Sequence, residues 1–322
     1  DAPPTTVSRE FSVDLRSDGL QTYYFADQLQ TVFSKTGLVG VDNGPFEEVR
    51  DPFSAGSFGE VKWKSRQKML TLLEEYQESE SRAAGKLAGD SGGRLTTLPG
   101  DVPFFMMTGR LDPRQKGFDI FASAIREFLG TQKLDGRFLI ATDPGDAPAS
   151  FLEDLLSLGQ EFPGKVLICA FRMQRAYLEC QAGATFSVWP SLYEPFGGVS
   201  EYFLKGTPAV ARRTGGLRQQ VFDISGSPHG TGITYNTRSA ETRSEWNAIM
   251  DAASPRERAA QPLYQEHVRC LTEALVRATD TYHDSPTYER ILANLFPLCE
   301  QFSWARAWDE YSDVYRTATE TK

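Results

Sequence analysis

The chain has 322 residues, of which 24% are charged and 40% hydrophobic, and a formal charge of −9. That length holds about two ordinary domains, or one large domain with a tail. The acidic balance argues against a nucleic-acid partner, which would want a basic stripe, and no apolar run approaches the ~20 residues of a membrane span.

Residues 1–60 are of mixed character. A strand is expected at Val39-Gly40-Val41, ending in a turn at Asn43-Gly44. Residues 62–88 read as a helix, with Met69, Leu72, Leu73 and Tyr76 at three- and four-residue steps. The glycine-rich stretch 88–93 reads as a polar loop. From residue 102 short apolar runs alternate with helical patterns. Strands are expected at 102–107, 137–141, 165–170, 185–189 and 208–211, and helices at 118–129, 150–158, 173–182 and 198–205. Short buried strands alternating with helices predict an α/β protein with a doubly wound parallel sheet covered on both faces. Beyond Tyr235 the tail reads as helices at 258–278 and 288–295. A last amphipathic helix follows Phe302-Ser303-Trp304 and carries Ala307, Trp308, Tyr311 and Val314.

The residues with chemistry gather in three turns. Gly109-Arg110 and Lys116 bracket the turn after the strand at 102–107, with Arg114 between them. An arginine fork and a lysine point charge near a helix start would bind a diphosphate; a solvated cationic loop is the plain alternative. Ser191-Leu192-Tyr193-Glu194-Pro195-Phe196-Gly197-Gly198 puts a carboxylate on a glycine-rich turn before a helix, where an open sheet receives ligands. Glu194 is a candidate acid or base, charge partner or hydroxyl acceptor, or simply a carboxylate beside a helix dipole. Glu201, a turn further on, reads as a ribose ligand or an exposed first-turn acid. Thr214-Gly215-Gly216 forms a third anion-friendly turn. Arg212 and Arg213 before it read as surface charge, Tyr177 and Trp189 as core, and Arg258 as a position indifferent to ligand. Four cysteines without paired spacing and three histidines without ligand spacing predict a cytoplasmic or plastid-like reducing compartment and no metal or cofactor site. The first five residues have neither the basic nor the apolar region of a signal or transit peptide.

Ala182-Gly183-Ala184-Thr185, the Trp189 to Gly197 run, Gly206-Thr207-Pro208 and Arg212-Arg213-Thr214-Gly215-Gly216-Leu217 together resemble the retaining glycosyltransferases of the GT-B fold, most nearly the glycogen and starch synthases. The likeness covers most of 95–235, with weaker patches at Thr6-Val7-Ser8, Val41-Asp42-Asn43-Gly44 and the C-terminus. The resemblance implies an ADP- or UDP-glucose donor, an α-glucan acceptor and transfer with retention. It assigns Arg110 and Lys116 to the leaving diphosphate and Glu194 to the donor sugar. Phe196, Gly197 and Gly198 would line the pocket, and Glu201 would hold ribose. Six residues separate Glu194 from Glu201 where the family motif has seven, and the Arg110 to Lys116 gap is one residue longer than in bacterial synthases.

No Lys-x-Gly-Gly stands near residue 1, and 60 residues cannot hold an acceptor domain. The expectation is therefore a donor-binding C-terminal half missing its N-terminal partner domain. It comprises a remnant of the first domain at 1–60, a nucleotide-sugar domain at 61–300 and a crossover helix at 301–322. Two rivals are a nucleotide-sugar-binding module without turnover and a retaining transferase that makes a disaccharide or glycolipid.

Overall fold

The structure is a computed structural model that describes residues 3–17, 26–45, 58–83, 91–173 and 176–320. Six parallel strands form the centre: β4 (Phe104–Arg110), β5 (Arg137–Asp143), β6 (Val166–Cys169), β7 (Phe186–Trp189), β8 (Ala209–Arg212) and β9 (Gly232–Tyr235). They lie in the order 6-5-4-7-8-9, with β3 (Ser91–Gly93) antiparallel on the β6 edge. The expected doubly wound α/β architecture is therefore present. The strand order reverses between the parallel neighbours β4 and β7, since successive strands are added outward from β4 on one side and from β7 on the other, which places the topological switch point there.

Alternation along each strand sends side chains to two separate cores. Phe105, Met107, Phe138, Ile140, Val166 and Ile168 join one cluster. Their neighbours Phe104, Met106, Leu139, Ala141, Leu167 and Cys169 join the other. The first core is closed by α4 (Phe118–Arg126), α5 (Ala149–Glu161), α11 (Pro262–His283) and α12 (Ser285–Cys299). The second is closed by α3 (Phe58–Ala83), through Met69 and Leu73, and by α6 (Tyr177–Gly183), through Cys180. Buried Lys62 of α3 donates to the carbonyls of Ala182 (3.2 Å) and Ala184 (2.5 Å), and Arg66 donates to Gly183 O at 3.0 Å. Two cations thus satisfy the last carbonyls of α6, where the helix dipole is negative.

Several elements differ from the sequence reading. Ser91-Gly92-Gly93 is an edge strand rather than a loop, because glycine lets it pass against α5 where a Cβ at Gly92 would meet the Leu156 backbone. Residues 84–90 lie outside the described residues. β9 extends the series to a sixth parallel strand. The helix expected at 258–278 is two, α10 (Pro255–Ala259) and α11, each with proline in its first turn. Helices α1 (Arg9–Ser17), α2 (Ala26–Thr36), α8 (Leu217–Gln220) and α9 (Arg243–Met250) were not read from sequence. α7 (Val199–Phe203) and α13 (Trp304–Glu320) stand where helices were expected. Near the N-terminus, β1 (Thr5–Thr6) pairs in parallel with β2 (Val39–Gly40).

Candidate functional site

The turns leaving β4 and β7 meet at the switch point. Leu192 N–H donates to Gln115 O at 2.7 Å, joining the two turns backbone to backbone. The approach requires glycine at 117: its φ is +72°, and a Cβ would collide with the Pro190 carbonyl. This contact brings Lys116 Nζ to 2.7 Å from Glu194 Oε2, and Ser191 Oγ donates to the same oxygen at 2.9 Å. The Glu194 side chain is 5% exposed and that of Lys116 17%. A carboxylate so far from water depends on its cation, whose removal would leave a buried unpaired charge.

The Thr214-Gly215-Gly216 turn lies directly under Glu194. Gly216 N–H donates to Glu194 O at 2.9 Å, and a Cβ at Gly215 (φ +45°) would collide with that same carbonyl. In this structure the turn therefore serves the Glu194 backbone, and the Gly216 N–H already has a partner. The next carbonyls are held as well: Ser8 Oγ donates to Pro195 O at 2.5 Å and Gln220 Nε2 to Gly197 O at 3.3 Å. Ser8 belongs to the N-terminal segment. That segment is tied to α8 through Glu10 N–H to Gln219 Oε1 (3.0 Å) and through Arg218 to Glu10 and Asp14.

Phe196 was expected to line the pocket, but its ring packs edge-on against Phe302 at 5.4 Å and belongs to the core. Its apolar bulk is worth more there than at a wet crevice. Gly198 opens α7, and a Cβ on it would lie 3.8 Å from both the Glu201 carboxyl carbon and the Trp189 ring. Glu201 is half-buried at this edge, and Trp189 packs against Tyr202. Tyr202 in turn is hydrogen-bonded to Thr108 at 2.7 Å.

Arg110 and Arg114 open into a neighbouring cavity of about 600 Å³, which neither Lys116 nor Glu194 lines. Arg110 leaves the end of β4 exposed, with its guanidinium 3.5 Å from Gln115 Oε1. Arg114 Nε donates to Met250 O at 3.1 Å. The wall of this cavity includes Arg258, which is wholly buried, donates to Pro113 O at 2.6 Å and pairs with Asp119 at 2.8 Å. Burial pushes the Asp119 carboxyl up, against the pull of Arg258. Arg258 thus braces the loop that carries Arg110 and Lys116.

Arg212 is also buried, contrary to the expected surface role, whereas Arg213 is exposed. Nothing in the local sequence separates these adjacent arginines. What separates them is the end of β8, which is buried along its whole length and stops at Arg212. All four cysteines are buried free thiols, and burial pushes Cys169 up to about 12. Among the described residues no helix is long and apolar enough to cross a membrane.

Residues 102–241 match the family model for glycosyl transferases group 1. The chain is 27% identical over 220 residues to a glycogen synthase of Thioalkalivibrio sulfidiphilus, covering 67% of this chain and 38% of that protein. It is 30% identical over 255 residues to a glycogen synthase of Exiguobacterium sibiricum, covering 76% of this chain and 44% of that one. The chain thus spans less than half the length of these curated relatives. The catalytic domain of Arabidopsis thaliana starch synthase IV, solved with ADP and acarbose, shares the fold. Its TM-score is 0.52 at 19% identity, over 91% of this chain and 56% of that structure.

Proposed function

Since the chain belongs through residues 102–241 to the group 1 glycosyl transferases, on a GT-B fold close to glycogen and starch synthases, we propose that it binds a nucleoside diphosphate sugar across the ends of β4 and β7. The Lys116–Glu194 pair at the switch point carries this reading. Lys116 offers its ammonium to the diphosphate, stabilising the negative charge that builds as the sugar leaves. Glu194, relieved of part of that pairing, accepts hydroxyl hydrogen bonds from the donor sugar. Arg110 and Arg114 stand at the same edge and add cationic charge toward the phosphates. Gly197 and Gly198 let a ligand approach the backbone, and Glu201 is placed for a ribose hydroxyl.

In this proposal the donor is ADP- or UDP-glucose, the acceptor an α-glucan and the transfer retaining. A preceding acceptor domain completes the cleft and excludes water. The N-terminal segment that bonds Pro195 is the end of that domain, the described body beyond it the donor half, and α13 the helix that returns toward the acceptor side. Four buried free thiols fit a reducing compartment.

The test is glucosyl transfer from ADP- and UDP-glucose to glycogen by the longer protein that contains this chain, with product anomers read by NMR. New α-linked glucose supports the proposal. Nucleotide-sugar binding without transfer would leave a binding module, and transfer only to a small sugar or a lipid would give the rival transferase.

A further inference from the structure

Behind Glu194 lies a buried charged network centred on Arg212. Arg212, at the end of β8, donates through Nη1 to Leu192 O at 2.7 Å, and its Nη2 meets Glu241 Oε1 and Oε2 at 3.0 and 3.2 Å. Its side chain is 0% exposed and that of Glu241 10%. Glu241 also accepts from Thr237 Oγ1 at 2.6 Å and from Trp246 Nε1 at 2.8 Å, and the Arg212 guanidinium lies 5.5 Å from the Trp246 ring centre. Burial raises the Glu241 carboxyl, but Arg212 and these donors more than reverse that, so it stays ionised.

Such a pair is expensive for a core. Desolvation of two charges opposes folding, and well-packed apolar residues often do as well or better for stability. What a guanidinium fork adds is direction, with two bonds at a fixed angle. One branch goes to the carboxylate and the other to a single backbone oxygen of the Glu194 turn.

That oxygen belongs to Leu192, whose N–H is bound to Gln115 O at 2.7 Å. Leu192 is therefore gripped at both ends of its backbone, by the turn carrying Lys116 on one side and by Arg212 on the other. Two residues later comes Glu194. The element after Glu241 is anchored at its far end too, since Met250, which closes α9, accepts from Arg114.

We propose that Arg212, locked by Glu241, is a positioning residue that fixes the Leu192 peptide and so sets the Lys116–Glu194 separation for the diphosphate sugar. The ligand part of this proposal rests on the function proposed above; the mechanical part does not.

Two measurements keep them apart. Hydrogen exchange on the unliganded chain compares wild type with Arg212→Lys, which keeps the charge but loses the fork, and with Glu241→Gln, which keeps the shape. Exchange across 191–197 should quicken about tenfold in each variant, while β5 amides at 138–142 keep wild-type protection. Unchanged exchange across 191–197 in either folded variant overturns the strut.

Calorimetry with UDP and ADP then asks what the strut does. Arg212→Lys should bind about tenfold more weakly than wild type, but show little further loss when Lys116→Ala is already present, because one acts through the other. Losses that add, or an Arg212→Lys protein that binds like wild type, overturn the positioning role. A wild-type chain that binds no nucleotide overturns the functional reading, while the exchange result still decides the strut.

Discussion

Lys116 and Glu194 are 78 residues apart in sequence, and their side chains meet at 2.7 Å where the strand order of the sheet reverses. The pair is mostly hidden from water, so its two halves are not interchangeable with neutral groups. Lys116→Ala should lower unfolding free energy by ~2–4 kcal/mol, since it leaves a buried carboxylate with Ser191 as its remaining side-chain donor among the described residues. Adding Glu194→Gln to that variant should restore at least half of the loss. Urea unfolding at neutral pH measures both. A midpoint unmoved by Lys116→Ala would show that the charges are not coupled in the folded protein.

Arg258 offers a second case of the same physics away from the crevice. It is fully buried between Asp119 and the Pro113 carbonyl, with the Phe151 and Tyr264 rings about it. Arg258→Ala should cost ~3–5 kcal/mol. Arg258→Met combined with Asp119→Leu should be much closer to wild type, as both charges then leave together. If the double replacement is as damaging as the single one, unpaired charge is not the cause.

His267 gives a pH dependence. It is completely buried, neither ring nitrogen has a hydrogen-bond partner among the described residues, and burial, with Arg212 and Arg258 nearby, drives its pKa well below the usual value. The folded state thus refuses a proton that the unfolded chain accepts near pH 6.5. Stability from this group is complete above that pH and falls as the pH drops below it, by ~2 kcal/mol at pH 5. His267→Leu should be nearly neutral at pH 7.5 and should flatten the decline between pH 6.5 and 5. A parallel decline in the variant would assign the loss to other groups.

Gly215 tests the floor of the site. Its positive φ and the Glu194 carbonyl above it leave no room for a methyl group. Gly215→Ala should destabilise by more than ~2 kcal/mol and shift the 193–197 turn, read as chemical-shift changes at Gly197 and Gly198. Gly100→Ala, in open space, should do neither. Equal stability of the two variants would contradict the close packing of the turns.

How much of this was legible in sequence follows from the range of the interactions. Apolar runs such as Phe138-Leu139-Ile140 announce buried strands through local composition, and the alternation of strand with helix gave the doubly wound class. β3 and β9 escaped notice because Ser91-Gly92-Gly93 and Gly232-Ile233-Thr234-Tyr235 carry too little apolar pattern alone and become strands only beside β6 and β8. At the site, Lys116 and Glu194 could be nominated from their turns. Their meeting depended on Gly117 passing beneath Pro190, a contact across the fold. The family resemblance alone puts Phe196 at the pocket, and its ring contact with Phe302, more than a hundred residues later, is not legible in local sequence. Arg212 and Arg213 look alike in sequence, but Arg212 is the last residue of β8, a strand buried along its whole length, and Arg213 is the exposed residue just beyond it.

Calorimetric titration of the chain with ADP, UDP and GDP tests the central claim most directly, run on wild type and on Lys116→Ala. The account predicts saturable binding of at least one diphosphate by wild type and an affinity at least ~10-fold lower in the variant, equivalent to ~1.4 kcal/mol. A folded wild-type chain that binds none of the three, or a variant that binds as tightly as wild type, would contradict it.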